Sequence, residues 1–228
     1  MPYVGLMKTK AKGKPAGFDQ VAIAYHLLER ISFGSFLQRA RTAHLKEIAG
    51  AEDVLLVGEG NGLFLKSLLA ANSRCRVTCL DASQSMLELS RDRIFERDRH
   101  RVHFRQTDLT SESMSANKYE VVVTHFFLDC FNRETLNGLL PKLEGILQPR
   151  GKWLLADFVE PKNAGAAAFF QRTALRFLYL FFQVACGIEA RSVHNPRNIL
   201  GELGLKETMQ CTYLNGWITS LVYEKTHA

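Results

Sequence analysis

Five consecutive residues, Gly58-Glu59-Gly60-Asn61-Gly62, set three glycines on alternate positions around one carboxylate. Glycine admits positive φ and lets a ligand lie directly against the main chain, so the run reads as a binding turn. Further along stand Asp81, Asp108, and the pair His125 and Asp129 in "THFFLDCF". A single Asp at a strand end is ordinarily a cap or turn residue. The order carries more information: a glycine turn, an acid after the next strand, and an acid after the one following.

Three ligands compete for such a turn. A nucleoside triphosphate loop, GxxxxGK[ST], needs Lys directly after its last glycine; here Leu63 follows Gly62, and Lys66 and Ser67 come later. A dinucleotide fingerprint, GxGxxG, places its third glycine where Leu63 stands, and Glu59 would repel a pyrophosphate. S-adenosylmethionine has no phosphate and carries an ammonium and a sulfonium, so an acid in the turn suits it. Asp81 then stands where an acid accepts both ribose hydroxyls, and Asp108 within reach of an adenine amino group.

These residues need a scaffold. "VLLV" before the turn is a continuous apolar run, read as a buried strand, and Leu63 to Ala71 reads as the helix after it. "RVTCL" is a second strand, followed by a helix with Ser83 or Ser85 as cap. "VHFRQTD" and "YEVVVTHFF" are the third and fourth strands. Asn132 caps a helix to about Leu147, and "GKWLLADFV" is the fifth strand. A long aromatic helix is expected from Ala164 to Ala185, then a short one with Asn195 as cap and Pro196 first. "KETMQCTYL" and "WITSLVYEK", around Asn215-Gly216, read as an antiparallel hairpin. Strands alternating with helices predict an α/β fold with a mostly parallel sheet covered on both faces. Residues 1–17 are expected as a basic tail and 18–228 as a single domain. Phe18 to Gly50 reads as helical.

"VLLVGEGNG", "VTCLDASQSMLELS", "VHFRQTDL" and "YEVVVTHFFLDCF" resemble, in order, the four motifs of class I S-adenosylmethionine-dependent methyltransferases. The resemblance covers about Phe18 to Lys225 and is nearest the branch with the ubiquinone and menaquinone biosynthesis methyltransferases. It implies a Rossmann-like seven-stranded sheet with the last strand antiparallel, an N-terminal helical lid over 18–50 and a helical insertion over 161–200. It implies S-adenosyl-L-methionine as cofactor, held by Gly58, Glu59, Gly60, Gly62, Asp81, Ala82, Met86, Asp108, Leu109 and Thr124, with Tyr25 closing over it. Leu56 departs from the pattern, since the family often has an acid there that supports the amino-acid end of the cofactor; Glu59 and the Gly58 backbone are the candidates for that task.

Methyl transfer is an in-line displacement with an activated leaving group, so alignment and dryness matter most. A general base is needed only where the acceptor must lose a proton early. His125 and Asp129 are the titratable candidates. Phe33, Phe177, Tyr179 and Phe181 are the expected pocket aromatics. The dense apolar segment "AAAFFQRTALRFLYLFFQVACGIEA" reads as core, as a dimer interface, as pocket wall or as a peripheral membrane contact.

Hydrophobic residues make up 46% and charged residues 23% of 228, which excludes a disordered chain. Lys8, Lys10, Lys12 and Lys14 supply four of the six net positive charges, so the body is nearly neutral and no nucleic-acid module is expected. Five cysteines without CxxC spacing suggest a reduced, cytoplasmic protein with no metal site. No apolar N-terminal signal is read. The expectation is an enzyme that methylates a small, apolar acceptor at O, C or N, as monomer or homodimer. The rivals are a cofactor-binding relative without catalysis and a nucleotide-dependent oxidoreductase.

Overall fold

The structure, a computed structural model, describes residues 35–109, 118–161, 165–186, 190 and 195–226. Seven strands form one sheet in the order β3-β2-β1-β4-β5-β7-β6. They are β1 (Asp53–Val57), β2 (Arg76–Asp81), β3 (Val102–Gln106), β4 (Tyr119–His125), β5 (Leu147–Phe158), β6 (Leu205–Tyr213) and β7 (Ile218–Lys225). The first five pair in parallel, and β7 runs antiparallel to both β5 and β6. The expected sheet, with its last strand reversed, is therefore the observed one. The strand order turns back between β1 and β4. Ligands of open α/β sheets bind outside the carboxyl ends of the strands at such a point.

The continuous apolar strands bury both faces. On one, Leu55, Val57, Val122, Trp153 and Leu155 pack under α4 (Arg133–Gly145) through Leu136, Leu139, Leu140 and Leu143. That i, i+3, i+4, i+7 stripe is what makes the segment helical and fixes its orientation. Asn132 caps it, its Oδ1 accepting from Thr135 N at 2.9 Å. On the other face, Leu56, Val121, Val123 and Leu154 meet Phe64, Leu65, Leu68 and Leu69 of α2 (Leu63–Ala71). Each such leucine stabilises the fold by about 1.5–3 kcal/mol relative to exposure.

Helix α3 (Gln84–Arg93) starts at Ser83, whose Oγ accepts from Met86 N. Helix α1 (Phe36–Thr42) docks on α2 through Gln38, whose Nε2 donates to Leu63 O and Ser67 Oγ. The remainder of the expected lid, residues 18–34, lies outside the described residues. Helix α5 covers Ala166–Cys186. The short helix α6 (Arg197–Glu202) begins one residue later than expected: Pro196 is its cap, and Asn195 Oδ1 accepts from Arg197 N. Among the described residues, no helix is long and apolar enough to cross a membrane.

Candidate active site

The turn between β1 and α2 carries Gly58, Gly60 and Gly62 at φ of 63°, 66° and 76°. The three glycines do different work. A Cβ on Gly58 would overlap the Phe127 ring, and one on Gly62 would come within 2.7 Å of Ser90 Cα. Those two permit close packing of the turn against the β4 loop and α3. A Cβ on Gly60 would meet nothing within 4 Å, so Gly60 faces open space.

The turn is held from both ends. Gly58 N donates to Leu80 O at 2.8 Å. Gly60 N donates to Asp81 Oδ2 at 3.3 Å, and Ser90 Oγ donates to Gly60 O at 2.8 Å. Asp81, at the end of β2, also accepts from Ser83 N through Oδ1. One carboxylate thus joins the glycine turn to the start of α3, at the switch point between β1 and β4.

Glu59 has a role the sequence reading missed. Its Oε1 accepts from Phe64 N and Leu65 N, both at 2.9 Å, while Asn61 Oδ1 accepts from Leu63 N. The acid satisfies orphan N–H groups of the α2 N-terminus, where negative charge is favoured. Burial pushes its carboxyl up to about 7, against the pull of those N–H groups and of the nearby Arg41 charge. Glu59 does stand beside a cation, but that cation belongs to the protein. Its position five residues ahead of the helical N–H groups was the available signal.

The other expected cofactor residues divide. Ala82 is exposed, and its carbonyl accepts from Gln106 Nε2. Asp108 is exposed and Leu109 buried just beyond β3, and Met86 is buried in the first turn of α3. Thr124, at the carboxyl end of β4, is 0% exposed and its Oγ1 accepts from Trp153 Nε1 at 2.9 Å. Tyr25 and Phe33 lie outside the described residues, as does the Phe181 side chain.

His125 and Asp129, the two titratable candidates, have different surroundings. His125 is buried at the end of β4, edge-on to Phe64 at 4.6 Å, and its Nδ1 has no hydrogen-bond partner among the described residues. Burial, with Arg41 and His44 nearby, holds it well below the usual histidine range, so it is neutral. Phe126 follows at φ 54° and redirects the chain. Asp129 then sits in the 3-10 turn Leu128–Cys130, its Oδ2 accepting from Tyr179 OH at 3.1 Å. Burial raises Asp129 to about 6. Its neighbour is Asp157, at the end of β5, an acid the sequence reading passed over inside "GKWLLADFV". Burial and the Asp129 charge push Asp157 well above the usual carboxylate range.

Of the expected pocket aromatics, Tyr179 is buried and Phe177 is 69% exposed. Phe169, Phe170 and Leu180 are exposed too, so these side chains are not part of the core. Leu175 and Tyr179, four apart, form the buried stripe; Phe177, two residues from each, projects the other way. A separate cleft of about 230 Å³, lined by Glu47, Glu120, Arg150 and Lys152, opens at the amino-terminal end of the strands, away from the glycine turn.

Comparison with known proteins agrees with this architecture. Residues 54–151 match the methyltransferase domain family. The chain is 26% identical over 157 residues to the ubiquinone/menaquinone biosynthesis C-methyltransferase UbiE of Syntrophotalea carbinolica, and 26% over 175 residues to that of Azotobacter vinelandii. The alignments cover 68% and 75% of this chain and 65% and 68% of those proteins, so the chain spans about two thirds of these relatives' length. Among solved structures, an O-methyltransferase family protein of Burkholderia thailandensis superposes with a TM-score of 0.68 at 17% identity, over 92% of this chain and 60% of that one. The N-methyltransferase NodS of Bradyrhizobium japonicum gives 0.54 at 15% identity, over 83% and 96%. Sheet order, glycine turn and these matches agree on one class: the chain has the fold of the class I S-adenosylmethionine-dependent methyltransferases and is similar to them, enzymes that take their methyl group from S-adenosyl-L-methionine. Within that class, its curated likeness is to the ubiquinone/menaquinone biosynthesis C-methyltransferases.

Proposed function

We propose that the protein transfers a methyl group from S-adenosylmethionine to a small, largely apolar acceptor. The observation that carries the reading is the junction at the switch point. There the open face of Gly60 lies beside Asp81, whose carboxylate is anchored to Gly60 N and Ser83 N. A cofactor on that face meets main chain where no side chain intrudes, and Asp81 is oriented to accept from ribose hydroxyls. Asp108 and Leu109 serve the adenine, and Glu59 with Gly58 the amino-acid end.

The residues suit this cofactor. Its sulfonium supplies an activated methyl group, and the protein orients and desolvates. Glu59, raised to about 7, exchanges its proton readily for a neighbouring ammonium. His125, neutral and buried, serves as packing and as a proton acceptor where the acceptor demands one. The apolar acceptor reading follows the relatives, which are named for ubiquinone and menaquinone biosynthesis, and the rings of Phe126, Phe158 and Tyr179 near the carboxyl ends of β4 and β5.

The test is turnover. Purified protein is incubated with methyl-labelled S-adenosylmethionine and a panel of phenols, quinols and amines. Formation of S-adenosylhomocysteine together with a labelled product supports the reading. Cofactor binding without label transfer to any of them favours the non-catalytic relative.

A further inference from the structure

Two carboxyl groups that the glycine turn does not use lie at the carboxyl ends of neighbouring strands. Asp129 follows β4 and Asp157 ends β5, and β4 and β5 pair through His125 and Ala156. Both acids are more than nine-tenths buried. Asp129 accepts from Tyr179 OH and lies 3.7 Å from Cys130 Sγ. The main-chain N–H groups of Phe127 and Phe126 lie close enough to Asp157 to favour its charged form, and its Oδ1 has no hydrogen-bond partner among the described residues.

A brace for the β4 loop needs only the first of those features. An unsatisfied buried carboxyl oxygen is costly, and it stands at the end of the sheet where this fold places its ligands. The surroundings are aromatic: the Phe126 and Phe158 rings meet at a tilt with centroids 5.4 Å apart, and Tyr179 belongs to the same cluster. A second acid beside the first concentrates carboxyl groups there, and Tyr179 OH already donates to Asp129. The missing element is a partner for Asp157 that the described residues do not provide, and a donor, above all a cationic one, would favour the ionised acid.

We propose that Asp157, with Asp129 beside it, binds a donor group, a hydroxyl or an ammonium, on the aromatic or apolar methyl acceptor, and so selects which acceptor is taken. This rests on the methyltransferase reading above and narrows it: a hydrocarbon face alone does not satisfy the site.

The test uses the full chain saturated with S-adenosylhomocysteine and three probes of one shape. They are 2-naphthol, 2-(aminomethyl)naphthalene and 2-methylnaphthalene, titrated by their fluorescence. One of the two donors is expected to bind at least tenfold more tightly than the hydrocarbon, and which one does so separates hydroxyl from ammonium. Asp157→Asn should remove most of that preference and leave affinity for S-adenosylhomocysteine within twofold. Should that variant not fold, the wild-type ratio and Asp129→Asn carry the same test. Equal binding of all three probes, or none, overturns the proposal. So does a preference that survives both substitutions while only the melting temperature falls, since that is the signature of a brace. Failure of the wild type to bind S-adenosylhomocysteine contradicts the methyltransferase reading itself, and the proposal falls with it.

Discussion

Asp81 concentrates the chemistry of the turn in one side chain. Asp81→Ala removes the proposed ribose acceptor and also the partner of Gly60 N. Charge-assisted bonds of this kind contribute about 1.5–3 kcal/mol, so affinity for S-adenosylhomocysteine should fall about tenfold to a hundredfold. Circular dichroism should still report a folded chain. Glu59 predicts a pH dependence. Its carboxyl is raised from 4.5 to about 7, so in this window the folded protein binds more protons than the unfolded one. Stability from this group is therefore present below pH 4.5 and declines as pH rises through 7. An incoming ammonium favours the ionised acid, so cofactor affinity should rise from pH 6 to 8 with release of a proton. Titrations in buffers of different ionisation enthalpy check this. Glu59→Gln should flatten the dependence, and an unchanged slope in that variant would remove Glu59 from the cofactor site.

Elements decide what each glycine is for. Gly60→Ala adds a methyl where nothing stands within 4 Å, at the cost of positive φ, roughly 1–2 kcal/mol. Gly62→Ala carries the same backbone cost and also presses on Ser90 Cα, so it separates α2 from α3. Thermal melts should show Gly62→Ala as the less stable of the two. Cofactor titration should show Gly60→Ala weakened while still folded; normal binding there would move the ligand elsewhere. On α5 the inner and outer faces predict opposite outcomes. Tyr179→Phe deletes a hydroxyl that donates to buried Asp129, and should cost about 1–3 kcal/mol in a denaturant melt. Phe177→Ala on the outer face should stay within about 0.5 kcal/mol of wild type.

At the scale of the whole molecule, sheet, strand sequence and helix caps were legible because they rest on local periodicity and cap chemistry. Ser83 and Asn132 cap the helices assigned to them, and β7 reverses as the hairpin implies. The glycine turn and Asp81 were legible for the same reason: each is adjacent in sequence to the element that positions it. Three features were not. Asp157 ends a continuous apolar run, and a buried strand offers no alternation to flag a polar residue. Glu59 reaches across a loop to cap α2, a contact with no period. The left-handed turn at Phe126, between His125 and Asp129, is one that side-chain types do not announce.

The central claim is that the turn from Gly58 to Gly62, with Asp81, is an S-adenosylmethionine site. Calorimetric titration of the full chain with S-adenosylhomocysteine, beside NADH and ATP, tests it directly. The account predicts one site for S-adenosylhomocysteine, no measurable binding of the two phosphate-bearing nucleotides, and at least a tenfold loss in Asp81→Ala. Saturable binding of NADH or ATP without S-adenosylhomocysteine binding, or equal affinity in wild type and Asp81→Ala, would contradict it.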